Sequence, residues 1–307
     1  MNADLGKAIF LTISYFDFFD YPLGAGEIFK WLFWNKKETL GGKDARAAID
    51  VLVGRSKIVL IDDFYFLPGR EDIINLREKR EQVSYQKIRK ARRMARLLGF
   101  IPFIKMIAIV SNLGYLNADK EADIDLFIVA EKGKIWAVRF WSVMLMKILG
   151  QRPSKKAMKD KICLSYYVSA DNLNLEKTKV GEPDAHLCYL VAQYLPIYSE
   201  DDMWPRFVEA NKWLNEYLPN FKYGESDRRF IIKPKLVWLK NLIAKTELGF
   251  EQRFYKEIQM RKMPAELKQA MHQGDKKVIV NDQMLKLHLN DKREEINSII
   301  SNFSAQG

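Results

Sequence analysis

Two stretches near the middle of the chain, IKMIAIV over 104–110 and DIDLFIVA over 123–130, constrain the fold more than any other feature. Both are runs of β-branched and large apolar residues with little polar interruption, the pattern of a strand covered on both faces. Strands of that kind need helices packed on either side of them. The sequence supplies one directly, because 135–149 has helical periodicity and leads into a third strand-like run, KICLSYYV over 161–168. The spacing therefore predicts an α/β core spanning 103–175.

Upstream of this core, residues 1–70 read as three helices (5–19, 25–34 and 44–53) followed by a hairpin. Pro22 and Gly24 break the first helix from the second, and Gly41 and Gly42 part the second from the third. The β-rich runs at 57–61 and 64–67 flank Asp62 and Asp63, which suit a tight turn. This order resembles a winged helix. A linking segment over 71–102 holds a long basic helix, 72–98, with Ile88, Ala91, Ala95 and Leu98 on one face and Arg89, Arg92, Arg93 and Arg96 on another. The arginine stripe reads first as a solvated face, with a clamp on a nucleic-acid backbone as the alternative. In the third short helix Lys43, Arg46 and Arg55 are offset by Asp44 and Asp50, which weakens a DNA-reading role.

Residues 176–307 read as mainly helical, with candidates near 184–194, 204–217, 235–260 and 265–272, then short extended pieces and a final helix. The expected class is thus α+β: a mixed sheet with flanking helices between a winged-helix-like N-terminal domain and a helical C-terminal region.

Charge and cysteine content narrow the partners and the compartment. Lys and Arg outnumber Asp and Glu by 50 to 39, a formal charge of +11, which favours nucleic acid, nucleotides or anionic lipid. Cys163 and Cys188 show no pairing pattern, so buried free thiols in a reducing, cytoplasmic setting are expected. His186, His272 and His288 share no zinc-ligand spacing with each other or with the cysteines, and local hydrogen bonds are expected for them. The N-terminus has an acidic, aromatic run over 15–20 where a signal peptide needs a basic start and an apolar core. The longest apolar stretches are broken by Lys105, Arg139 and Lys147, so no transmembrane segment is expected.

The passage that carries chemistry is SNLGYLNADKEADID, 111–125, set between the two apolar strands. Asp123 and Asp125 are two apart in an extended segment, so both side chains leave one face and can hold a hard divalent cation together. Ile124 between them points to the core. The preceding strand delivers Ser111 and Asn112 at its end, where a turn with backbone N–H groups is placed to bind a triphosphate. Lys132, Lys134 and Arg139 follow the acidic strand. Trp136, Phe140 and Trp141 have the spacing of residues packing a helix on a sheet.

These residues resemble the DNA polymerase beta-type nucleotidyltransferase superfamily, whose signature is Gly-Ser, ten residues, then Asp-any-Asp. Ser111-Asn112, the ten residues 113–122, and Asp123-Ile124-Asp125 reproduce that spacing, with the Gly-Ser replaced. The flanking sequence looks like a bacterial group of nucleotidyltransferase-domain proteins in which a winged-helix-like region precedes the core. The resemblance implies a nucleotidyltransferase-like mixed sheet and two Mg2+ ions on Asp123 and Asp125. It implies a nucleoside triphosphate bound at Ser111, Asn112, Lys132 and Lys134, and transfer of the monophosphate to an acceptor, either nucleic acid or a small molecule. Family members usually add a third acid from a later strand; here 161–168 holds Cys163 and Ser165 but no acid, and only Asp160 and Asp171 flank it. The expected function is therefore a nucleotidyltransferase. The alternative is an inactive member acting as a nucleotide-sensing or nucleic-acid-binding regulator. Acceptor, nucleotide preference and oligomeric state have no signature in the sequence.

Overall fold

The computed structural model describes residues 3–35, 41–154, 157–224, 229–232, 240, 242, 251–272, 276–289 and 292–298. The chain begins with α1 (Ala3–Phe18), β1 (Leu23–Gly24), α2 (Ala25–Lys30) and α3 (Gly42–Gly54), then a hairpin of β2 (Val59–Ile61) and β3 (Phe64–Phe66). β3 lies between β1 and β2 in a small antiparallel sheet. Asp62 and Asp63 turn the hairpin with φ of 49° and 64°, left-handed values that Asp tolerates better than most residues. α2 stops at Lys30, short of the expected 34. Beyond it the Trp34 amide donates to the Tyr217 carbonyl at 2.8 Å, so a tertiary bond replaces the helical one.

α4 (Asp72–Leu98) has the predicted extent, and Ile88, Ala91, Ala95 and Leu98 are buried as its inner face. It joins the N-terminal unit to the core. Arg80 of this helix donates to the Phe19 carbonyl and to Asn117 Oδ1, and pairs with Asp20 at 3.2 Å.

The core is a six-stranded mixed sheet. Its central strands are β4 (Ile104–Ile109), β5 (Ile124–Ala130) and β6 (Ile162–Ser169), with α5 (Ile135–Ile148) crossing between β5 and β6. That crossover makes β5 and β6 parallel, whereas β4 and β5 are antiparallel. Downstream lie α6 (Ala185–Ala192), β7 (Leu195–Ser199), α7 (Met203–Ala210), α8 (Gln252–Arg261) and α9 (Ala265–His272), and then a closing hairpin of β8 (Val278–Val280) and β9 (Met284–Leu287). The strand order is β7-β4-β5-β6-β9-β8.

β7 falls between the helices expected at 184–194 and 204–217, as a strand within a stretch read as mainly helical. A five-residue apolar run has the same signature as a buried helix turn, and only the free edge of β4 decides it. Pro196 fits because β7 is an edge strand, where a missing N–H costs no ladder bond. Residues 293–298 form the beginning of the expected final helix. Of the helix expected over 235–260, residues 235–239, 241 and 243–250 lie outside the described residues.

Alternation along the strands separates two apolar layers. Met106, Ala108, Phe127, Val129, Tyr166 and Val168 face α6, α7 and the N-terminal helices. Ile107, Ile109, Ile124, Leu126, Ile128 and Tyr167 face α4, α5 and α8. Trp136 and Trp141 belong to this second layer, donating to Asp282 Oδ1 at 2.8 Å and to the Tyr255 hydroxyl at 3.2 Å. They pack helix on sheet, as their spacing predicts.

Candidate functional site

The site forms where β5 begins. The Ile124 amide donates to the Lys161 carbonyl at 2.8 Å and the Asp160 amide to the Ala122 carbonyl at 3.1 Å, which ties the entry of β5 to that of β6. Ile124 is fully buried in the layer beneath α4 and α5. Its neighbours Asp123 and Asp125 therefore point the other way, onto the face that carries Phe127 and Tyr166.

On that face Asp125 stands opposite Cys163 in the parallel ladder. The register slips just beyond, so that Phe127 meets Tyr166 and one extra residue of β6 is absorbed as a bulge. The bulge keeps Cys163 and Tyr166 on the acidic face although three positions separate them. One donor atom each from Asp123, Asp125 and Cys163 lie within 4.8 Å of one another. Burial, and then the charge of Asp125, push the Asp123 carboxyl up to about 6. Burial, followed by Asp125, also raises the Cys163 thiol strongly. Two carboxylates facing each other out of bulk water repel, and a bound cation relieves that repulsion. The donors thus fit a divalent ion: the carboxylates are hard oxygen ligands of the kind Mg2+ takes, and the thiol is softer.

Lys87 holds the loop that carries these acids. Its buried Nζ donates to the carbonyls of Lys120 and Ala122 at 3.1 and 2.7 Å and pairs with Asp160 at 2.6 Å. That pairing commits Asp160, one of the two flanking acids, to Lys87. The other, Asp171, sits past the far end of β6, where it accepts from the Ser169 hydroxyl at 2.5 Å. Among the described residues the third donor beside Asp123 and Asp125 is a thiol.

The turn over Ser111–Tyr115 is a 3-10 helix against the same end of the sheet, fastened by the Val110 amide donating to the Asp125 carbonyl at 3.2 Å. Ser111 has φ of 60°, a left-handed backbone at the position where the resembled superfamily carries glycine. Asn112 Oδ1 accepts from the Tyr115 hydroxyl at 3.1 Å. Gly114 is required here, since a Cβ on it would sit 2.2 Å from the Gln193 carbonyl oxygen.

Ser111 and Asn112 open onto a cleft of about 270 Å³, walled by Tyr166 and Tyr194 and rimmed by Lys286, His288 and Lys292. His288 Nε2 lies 2.9 Å from the Ser165 hydroxyl, and the Cys163 thiol lies 3.5 Å from that same hydroxyl. His186, on the opposite wall, meets the Tyr15 hydroxyl at 2.8 Å.

No protein-family model, no curated protein and no solved structure matches this chain. Its chemistry therefore follows from these donors. Among the described residues no helix is long and apolar enough to cross a membrane.

Lys132 and Lys134 are not part of this cluster. They follow the C-terminal end of β5, whereas the two acids stand at its start, about 20 Å away at the rise of a strand. Lys132 is 80% exposed and pairs with Asp171 at 3.7 Å, and Lys134 lies 4.8 Å over the Phe103 ring. Arg139 lies in the layer on the other side of the sheet, bound to Gln259. The positive groups beside Ser111 come instead from Lys286 and Lys292. Cys163 and these lysines were missed as site residues because tertiary pairing, not sequence spacing, sets Cys163 beside Asp125 and the lysines beside Ser111. The expectation that both thiols are buried holds for Cys188 and not for Cys163, which is half-buried.

Proposed function

We propose that the chain is a nucleotidyltransferase of the polymerase beta type. An acceptor hydroxyl or amine attacks the α-phosphorus of a nucleoside triphosphate, forming the new P–O or P–N bond as its proton passes to solvent. The α–β bridge breaks and pyrophosphate leaves with its electron pair. The observation that carries this reading is the same-face pair Asp123 and Asp125, on a strand whose Asp125 carbonyl accepts from the Val110 amide, the residue just before the Ser111–Asn112 turn.

Asp123 and Asp125 bind the cation, and the Ser111 turn orients the phosphates. Lys286 and Lys292 offset their charge, while Tyr166 and Tyr194 give the cleft an apolar wall. A bound divalent cation supplies charge stabilisation at the phosphate oxygens. The helix, strand and hairpin order of the first 70 residues, with β1 pairing into the hairpin, supports a winged helix. α4 sets that unit against the core, so an acceptor held by one can reach the other.

The test is pyrophosphate release from labelled nucleoside triphosphates in the presence of a cell extract and a divalent cation, followed by identification of what becomes labelled. Asp123→Asn and Asp125→Asn each lower the rate by about a thousandfold or more if the pair is the cation site. Release unaffected by both changes rejects the assignment. A second reading, nucleotide binding without turnover, is favoured by the thiol standing where the superfamily has its third acid. It predicts saturable triphosphate binding, lost in Asp123→Asn, with no pyrophosphate formed.

A further inference from the structure

We infer that Cys163 is a ligand of the cation held by Asp123 and Asp125, and that the site selects a thiophilic divalent ion of the zinc or cobalt kind over magnesium. This rests on the cation-site reading above and goes past it, since the two carboxylates alone specify a hard ion.

Three geometric facts support the assignment. Cys163 is the ladder partner of Asp125, so the two side chains project side by side from adjacent parallel strands. The bulge that follows holds the thiol on the acidic face. The donor atoms of all three residues lie within 4.8 Å of one another, and donors sharing one ion at about 2.0–2.3 Å stand at most about 4.5 Å apart, so small side-chain rotations close the site.

The second cysteine is the internal contrast. Cys188 lies on α6, fully buried in the apolar layer, and its surroundings account for it as a core residue. Cys163 instead borders two carboxylates and a serine hydroxyl, and no apolar cluster includes it.

Ligand chemistry then sets the metal. Thiolate sulfur strengthens binding of zinc, cobalt and iron and adds little for magnesium, which keeps oxygen ligands and its own waters. Two carboxylates and one thiolate make three protein donors, and a tetrahedral ion keeps one position open, the count of a catalytic rather than a structural site. Coordination is proton-balanced: the cation binds sulfur as the thiol proton passes to solvent. Ser165, between Cys163 and His288, is placed to hydrogen-bond the sulfur and fix its direction.

The experiment is titration of the full-length, metal-free protein with Co2+, read as the near-ultraviolet sulfur-to-cobalt charge-transfer band, with Zn2+ and Mg2+ as competitors. The expected result is a band that saturates at one ion per chain, is abolished by equimolar Zn2+, and survives a large excess of Mg2+. Cys163→Ser removes the band and weakens Co2+ binding by at least about 100-fold, since outer-shell changes alone reach about that size. Cys188→Ala keeps it. Because the band is read in the unaltered protein, a variant that fails to fold does not decide the outcome.

Cobalt bound without a sulfur band, or displaced equally by Mg2+, overturns the inference and leaves the carboxylate pair as a hard-ion site. Failure of the unaltered protein to bind any of the three ions overturns the function proposed above along with it.

Discussion

Lys87 reaches from the middle of α4 to the carbonyl of Ala122 at 2.7 Å, the residue immediately before Asp123. A helix that looks like a spacer between two units thus also fixes the entry of the acidic strand. The ammonium is nearly inaccessible, at 2% exposure, while its partner Asp160 is 37% exposed.

Lys87→Met is therefore expected to destabilise the protein by about 2 kcal/mol, less than a fully buried pair loses because Asp160 can turn to water. Chemical denaturation measures this. The same variant should weaken cation binding, because the loop over 118–122 loses its anchor. Unchanged cation affinity would show that the loop holds itself.

Asp123 couples the site to pH. Its carboxyl is raised from 3.8 to about 6 in the folded chain, so the fold favours the protonated form. The stability linked to this group is whole below its unfolded value and is lost as pH rises through about 6. The metal-free protein should accordingly become less stable between those limits, and Asp123→Asn should flatten that dependence and raise the melting temperature at neutral pH. Cation binding runs the opposite way, weakening as pH falls below about 6, where the proton competes for the carboxylate. Melting curves across pH, with and without the ion, test both signs.

Ser111 has a left-handed backbone that costs an L-residue about 1–2 kcal/mol, part of which glycine gives back as extra freedom in the unfolded chain. Ser111→Gly should thus stabilise the fold by about 1 kcal/mol or less. The missing side chain also allows closer approach of an anion to the turn, so triphosphate affinity should rise. A fall in both quantities would mean that the hydroxyl itself is needed.

Gly114 makes a converse prediction. A methyl group there would collide with the Gln193 carbonyl oxygen, a backbone atom that cannot rotate aside. Gly114→Ala should cost about 1–3 kcal/mol as the turn is pushed off the segment joining α6 to β7. Nucleotide binding should be lost together with the displaced turn.

Local regularity was readable from the residues and partner choice was not. The extent of α4 follows from its face of Ile88, Ala91, Ala95 and Leu98 and from Pro68 and Gly69 before it. β4, β5 and β6 follow from their apolar runs, and the outward direction of Asp123 and Asp125 follows from Ile124 between them. Which strand lies beside which is a long-range matter that periodicity does not encode. For that reason the contact of Cys163 with the acids, the pairing of Leu195–Ser199 on the edge of β4, and the arrival of Lys286 and His288 at the cleft were all missed. Lys132 and Lys134 illustrate the same limit, because nearness in sequence to an acidic strand says nothing about which of its ends they occupy.

The strand order β7-β4-β5-β6-β9-β8 has a consequence for biosynthesis. The acids emerge from the ribosome well before β9 does, and until that last hairpin docks, β6 presents a bare row of amides and carbonyls to any passing extended chain. A nascent polypeptide halted before Met284 would hold its ion-binding residues but neither the cleft's positive rim nor a protected border, which makes such fragments candidates for chaperone capture.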